Sequence, residues 1–277
     1  MFFEESNRAT RDYPFLIEHS DVKYIPHFHD ETEIVFILDG ALNVTLEDTS
    51  FILKKGDICI ITPEIIHNLH SFKSNKSFVI KLFPIIDVSN IRLFEPILKE
   101  GDEKYPIIKN LVSEIIRENG EKKPGYELAV NINAEKILLT ILRNLKYTKL
   151  ETGAKIKQTS KSELLNSVMD FLEAHYADDF SLEDVAKSLQ YTKSYFCHRF
   201  KDVTGVTFWK YFTLFRLEKA VQKMKDFPNK RYTEIAGECG FKNIRSFNQS
   251  FKEYYRCSPR EYARKYFTRD ISKKIQT

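Results

Sequence analysis

The sequence predicts a two-domain α+β protein: an N-terminal antiparallel β-barrel with a helical hairpin, a linker, and an all-α domain with two helix-turn-helix units. Three observations carry this reading. Short runs of β-branched and aromatic residues fill the first third, the apolar spacing turns helical from Ile107, and one small unit recurs in the C-terminal part. At 277 residues there is room for two domains, each burying its own core without disulfides or metals.

The barrel comes first. From Phe15 to about Pro84, strand-like runs such as Glu33–Asp39, Ala41–Leu46, Ser50–Leu53 and Asp57–Ile61 alternate with bends at Asp39-Gly40 and Lys55-Gly56-Asp57. Several short strands at this spacing close into a small antiparallel barrel or sandwich. The hairpin follows. Ile107, Ile108, Leu111, Val112, Ile115 and Ile116 form one helical stripe, and Ala134, Ile137, Leu138, Ile141, Leu142 and Leu145 a second, separated by a turn at Gly120–Gly125. Such stripes over helices 106–119 and 126–146 serve either as a homodimer interface or as a cover for the barrel.

Residues 147–162 carry neither period and read as an exposed linker between a domain at 1–146 and one at 163–277. A capping box at Ser160-Lys-Ser-Glu163 is expected to open a helix over Leu164, Leu165, Val168, Phe171 and Leu172, and Ser181-Leu-Glu-Asp184 opens the next. Charge divides along the same line. Residues 1–150 hold 19 Lys and Arg against 23 Asp and Glu, net −4, whereas residues 163–277 hold 21 against 15, net +6. A basic half tethered to an acidic one fits a nucleic-acid-binding module. Cys59, Cys197, Cys239 and Cys257 show no paired spacing, and no apolar run approaches the ~20 residues of a membrane span. A cytoplasmic protein with free thiols is the expectation.

The recurring unit is the most informative feature. Val185-Ala186 returns as Ile235-Ala236, and Phe196, Phe200 and Lys201 return as Phe247, Phe251 and Lys252. Each copy reads as a short helix bearing a small residue, a tight turn, and a second helix with apolar positions four apart. The alanine lets two steeply crossing helices approach closely. Gly240 supplies a left-handed turn residue in the second copy and Asn243 an N-cap. Between the copies one helix, about Phe208 to Asp226, spans nearly 30 Å at ~1.5 Å per residue, close to the ~34 Å between successive major-groove faces of B-DNA.

In order along the chain, Leu182-Glu-Asp-Val-Ala186, Phe200-Lys-Asp-Val-Thr-Gly205, Arg216-Leu-Glu-Lys-Ala220, Glu234-Ile-Ala236, Gly240-Phe241, Phe251-Lys252 and Ser258-Pro-Arg-Glu-Tyr262 resemble the DNA-binding domain of the AraC/XylS family. The resemblance implies an N-terminal cupin-like sensor barrel, a dimerisation hairpin and a transcription regulator, more often an activator, that acts with RNA polymerase as a homodimer and has no enzymatic role. Gln190 and Arg256 stand where that family usually has glycine, so a residue with a side chain is expected at positive φ in both places. Gly237 falls inside a helix, which should weaken it by roughly 1 kcal/mol.

The resemblance turns Ser194, Cys197 and His198 of the first recognition helix toward bases, with Lys201 on a phosphate. In the second, Ile244, Arg245, Asn248 and Gln249 face outward, with Lys252, Arg256 and Arg260 at phosphates. Arg to guanine, and Asn or Gln to adenine, are bidentate pairings that the first helix lacks. The second unit is therefore expected to dominate specificity, against the family's usual pattern.

Within the barrel region His27-Phe-His29-Asp-Glu-Thr-Glu33, with His67 after Pro63, is similar to the paired cupin motifs. Residues two apart on a strand share a face, so His27, His29 and Glu33 point inward and His67 joins from a neighbouring strand. The favoured role is binding of a small polar effector, a carbohydrate being the class considered, with Phe28 and Phe36 as walls if they face inward. No cofactor is expected. The rival reading is a cupin metal-dependent enzyme or metal sensor, for which the same four residues are the candidate ligands.

Overall fold

The structure, a computed structural model, describes residues 14–20, 23–71, 74–83 and 88–267. The chain divides into two compact units that part after Glu163. The first contains strands β1 (Phe15–Ser20), β2 (Thr32–Leu46), β3 (Thr49–Lys54), β4 (Ile58–Ile61), β5 (His67–His70), β6 (Asn75–Leu82), β7 (Ile91–Leu93) and β8 (Ile97–Leu98), helices α1 (Tyr105–Glu121) and α2 (Tyr126–Asn144), and β9 (Tyr147–Lys149). Helix α3 (Thr152–His175) runs through the boundary, and the second unit continues with α4 (Leu182–Ser188), α5 (Lys193–Thr204), α6 (Phe208–Asp226), α7 (Tyr232–Glu238), α8 (Ile244–Tyr255) and α9 (Pro259–Tyr266). Among the described residues no helix is long and apolar enough to cross a membrane. All four cysteines are free.

Strand β2 is the spine of the first unit. Its first half pairs with β6 and β4 and its second half with β3 and β5, all antiparallel, giving the order β1-β6-β2-β4-β8 with β3 and β5 added on the far half. The sequence suggested two strands parted at Asp39-Gly40; instead one strand bends there. A register shift between Ile37 and Asp39 and φ +77° at Gly40 turn the strand, and a Cβ at Gly40 would collide with the Ser74 carbonyl oxygen. Only glycine fits this corner.

Alternation along β2 then sorts its side chains. Val35, Ile37, Leu42 and Val44 join Leu53, Cys59, Ile61, Leu69 and Val79 in the barrel interior. Ile34 faces the other way, with Ile58, Ile60, Phe78 and Ile80, and packs with Ile108, Val112 and Ile115 of α1 and Val130, Ile137 and Ile141 of α2. The inner stripes of the hairpin thus cover the sheet. Phe36 lies with this helix-side cluster, so it is not the interior wall that the sequence allowed for. Phe28 is partly buried.

The segment expected as an exposed linker is ordered. Strand β9 pairs with β7, and the first turns of α3 occupy residues 152–162. Hydrophobic spacing misses them because the buried face there is polar: Gln158 and Ser162 are buried and only then do Leu165 and Met169 continue the stripe. The Gln158 amide donates to the Glu64 carbonyl oxygen. The capping box read at Ser160 therefore lies inside a helix, not at its start.

In the second unit α4–α5 and α7–α8 are the two repeated pairs, with α6 packed against both. Ala186 on α4 and Ala236 on α7, the small residues of each first helix, are buried. Phe196, Phe200, Tyr211, Phe215, Phe247 and Phe251 are fully buried and form the core. N-caps set the helix starts: Ser181 with Asp184 makes the capping box of α4, and Thr192 and Asn243 accept from Tyr195 and Ser246 amides at α5 and α8. Gly240 has φ +77°, and a Cβ there would collide with the Arg216 guanidinium. That guanidinium donates to the Tyr176 and Asp178 carbonyl oxygens and lies over the Phe212 ring. Gln190 and Arg256 sit at φ +59° and +60°, as expected from the missing glycines, and Gly237 lies within α7.

Candidate functional site

The barrel cluster assembles as expected. Glu33 enters from β2 and His67 from β5, and His27 forms an isolated antiparallel bridge with His67, each amide donating to the other's carbonyl oxygen at 2.9 and 2.8 Å. His29 precedes β2 by a few residues. One ligand atom from each of His27, His29, Glu33 and His67 lies within 4.8 Å of all the others. Glu33 and His67 are 0% and 2% exposed, so this is an interior polar site and not a solvated patch. His27 alone of the four is partly exposed.

Each imidazole is anchored through Nδ1 to a backbone carbonyl oxygen two residues away: His27 to Ile25 at 2.9 Å, His29 to Glu31 at 3.1 Å, and His67 to Ile65 at 2.8 Å. On the opposite edges His29 Nε2 lies 3.1 Å from Glu33 Oε2, and His67 Nε2 lies 3.9 Å from Glu33 Oε1. Burial pushes the Glu33 carboxyl up, but the His29 contact and the nearby imidazoles outweigh it and hold Glu33 below the ordinary carboxylate value. Burial dominates for His67, lowering it to about 4 although Glu33 pulls the other way, and holds His27 well below its ordinary value.

Three further residues belong to this site and escaped the sequence reading. Lys81 Nζ stands 3.7 Å from Glu33 Oε2, and burial lowers its pKa to about 7. The Tyr24 hydroxyl lies 2.7 Å from His19 Nε2 and the Tyr24 ring packs edge-on to His27. Strand alternation carried a signal for Lys81: Val79 faces inward, and Lys81 lies two residues on.

The second candidate surface lies on α5 and α8. Phe196 and Phe200 are buried beneath α5, leaving Ser194, His198 and Lys201 exposed and Cys197 partly buried. On α8, Phe247 and Phe251 are buried; Arg245, Asn248, Gln249 and Lys252 are exposed, as is Arg256 just past its end, and Ile244 is partly buried. Gln249 Nε2 donates to Glu253 Oε1 at 3.2 Å, a surface bond that leaves the amide available to another partner. Arg260 is exposed on α9. Tyr195 on α5 was not anticipated; it is 53% exposed and packs on Tyr191 at 5.1 Å.

Two exposed second helices on a basic helical unit, joined to a barrel with a buried polar cluster, define the class: a helix-turn-helix protein with a ligand-binding domain. Residues 15–138 match the family described as AraC-like ligand binding domain, and residues 185–265 match the one described as Helix-turn-helix domain. The chain thus combines an AraC-like ligand-binding domain with an AraC-type helix-turn-helix domain. Among its relatives, the probable transcriptional regulator LumQ of Photobacterium leiognathi is 23% identical over 250 residues, covering 90% of this chain and 95% of LumQ. The HTH-type transcriptional activator RhaS of Escherichia coli O139:H28 is 23% identical over 275 residues, 94% of each chain. Among solved structures, unsaturated fatty acid bound ToxT from Vibrio cholerae strain SCE256 superposes with TM-score 0.52 at 13% identity, covering 92% of this chain and 96% of ToxT, which shows a shared fold.

Proposed function

We propose that this chain is a sequence-specific transcription regulator, an activator working with RNA polymerase as a cytoplasmic homodimer, whose DNA binding responds to a small molecule held at His27, His29, Glu33 and His67. The supporting observation is the repeated pair with its outward residues: Arg245, Asn248 and Gln249 on one exposed helix and Ser194, Cys197 and His198 on the other, flanked by Lys201, Lys252, Arg256 and Arg260. Basic side chains at the ends of each helix suit phosphates, and planar amide and guanidinium groups between them suit base edges. Helix α6, with 19 residues, spans nearly 30 Å at ~1.5 Å per residue, which suits one subunit reading adjacent major grooves.

For the effector, a carbohydrate fits the hydrogen-bonding capacity of three imidazoles, a carboxylate and the Lys81 amine. Much of the interior is apolar, including Val35, Ile37, Leu42, Val44, Leu53, Ile61, Leu69 and Val79, so polar recognition centres on the cluster. An enzymatic role is set aside because the relatives named above are regulators. Calorimetric titration of the full chain with a sugar panel tests the effector. Binding by wild type that Glu33→Gln abolishes supports the site; binding indifferent to Glu33 removes it, and turnover of any ligand reverses the choice against an enzyme.

A further inference from the structure

We infer that the barrel cluster is a site for a divalent transition-metal ion, with His27, His29, Glu33 and His67 as its four protein ligands. Its place in a sensor rests on the regulator reading, but its chemistry rests on the side chains alone. Hydrogen bonds on the far side of each ring fix its tautomer. Each imidazole has Nδ1 against a backbone carbonyl oxygen, of Ile25, Glu31 and Ile65 respectively. A carbonyl only accepts, so each Nδ1 carries a hydrogen and each neutral ring keeps its lone pair on Nε2. Backbone anchoring of the far nitrogen is how metal-binding histidines are oriented.

Those lone pairs face other acceptors. His67 Nε2 and Glu33 Oε1 are 3.9 Å apart, both buried, and among the described residues neither has a hydrogen-bond partner. The Lys81 amine stands 3.7 Å from the other carboxylate oxygen, Oε2, so these two acceptors still face each other without a donor between them. His29 Nε2 meets Glu33 Oε2 at 3.1 Å, and with Nδ1 already committed to a carbonyl this contact is a hydrogen bond only if the ring takes a second proton. A single cation among the four groups satisfies every one of these acceptors.

Size and access agree. The four ligand atoms lie within 4.8 Å of one another. Donors at ~2.0–2.2 Å from a shared ion stand about 3 to 4 Å apart, so side-chain shifts of roughly 1 Å or less close the site. His27 gives a partly exposed edge for entry. Three nitrogens with one carboxylate suit Zn²⁺, Co²⁺, Ni²⁺ or Fe²⁺ and not the all-oxygen ions Mg²⁺ and Ca²⁺. Four protein donors leave one or two positions of a five- or six-coordinate ion for an oxygen of the effector.

The test uses the full chain, without a histidine tag and stripped by chelator, titrated with Co²⁺ and with Zn²⁺. Bound metal is counted by mass spectrometry, and the visible absorption of Co²⁺ reports its ligands. One ion per chain is expected, with Glu33→Gln and His67→Asn each weakening binding by about 100-fold or more, while His175→Asn, an exposed imidazole of the second unit, changes nothing. Should the variants misfold, the wild-type stoichiometry and a Co²⁺ spectrum of nitrogen ligation decide. Less than one ion per wild-type chain, or affinity unchanged in a folded Glu33→Gln, overturns the metal site. Selection of duplex DNA by the same metal-free and metal-loaded protein separates the two readings: sequence-specific binding without metal uptake defeats the metal alone, whereas no sequence preference in either form defeats the regulator.

Discussion

At the scale of single residues, chemistry and backbone conformation make separate demands. Arg245 can make two hydrogen bonds to one guanine and Gln249 two to one adenine, each worth ~1–3 kcal/mol of discrimination. Arg245→Ala or Gln249→Ala should flatten preference at one or two base pairs in a selection from random duplexes, more than alanine at Ser194, Cys197 or His198 does; the reverse order refutes dominance of the second unit. Lys252→Ala should weaken binding to all sequences alike and lower the salt slope by about one. Backbone demands are tested at Gln190 and Arg256, at φ +59° and +60°. A side chain in that region costs ~1–2 kcal/mol, of which the added flexibility of glycine returns about half. Gln190→Gly should therefore raise stability by roughly 0.5–1 kcal/mol in denaturant unfolding, and a loss would show that the Gln190 side chain has a compensating contact. His67 gives a pH prediction. Its folded pKa of about 4 lies below the ordinary 6.5, so between these values the unfolded chain binds more protons and stability falls as pH falls from 6.5 toward 4. Calorimetric melting of metal-free protein across that window should show a shallower slope in His67→Asn; an equal slope would place the titration elsewhere.

At the scale of elements, α1 and α2 have two faces. The inner one is committed to the sheet through Ile108, Val112, Ile137 and Ile141. The outer one leaves Leu128, Ile132 and Leu139 exposed on α2, at positions four and seven apart and so on one stripe, with Ile107 exposed on α1. The first face was legible as a 3.6-residue period; the second is visible only once the inner contacts are assigned. A homodimer seam on that stripe predicts that Leu128→Lys with Leu139→Lys converts a dimer to a monomer in sedimentation of the full chain, with helical content kept. A monomeric wild type at high concentration contradicts it. The repeated helix pairs were legible for a different reason. Their alanines, capping residues and paired phenylalanines are each required by local geometry, so sequence and structure agree there down to the caps at Ser181 and Asn243. The start of α3 was illegible because its buried face begins with Gln158 and Ser162, and a polar anchor leaves no hydrophobic period to read.

At the scale of the whole molecule, the two units divide the work by composition. One buries a polar cluster within an apolar interior, and the other displays cations and planar polar groups around an aromatic core. The cluster was half legible: the His-x-His-x-x-x-Glu spacing marks three of its members and His67 is the fourth, whereas alternation gives Lys81 a face but not its neighbours, because the register of β6 and of β1, which carries His19, is not written locally, and Tyr24 lies between β1 and β2. Whether the second unit reads DNA is decided by selecting bound duplexes from a random pool with the full chain and sequencing them. An enriched site with two half-sites ~10–10.5 base pairs apart, centre to centre, is expected for each subunit. A pool that emerges without sequence preference, binding only in proportion to charge and salt, would contradict it.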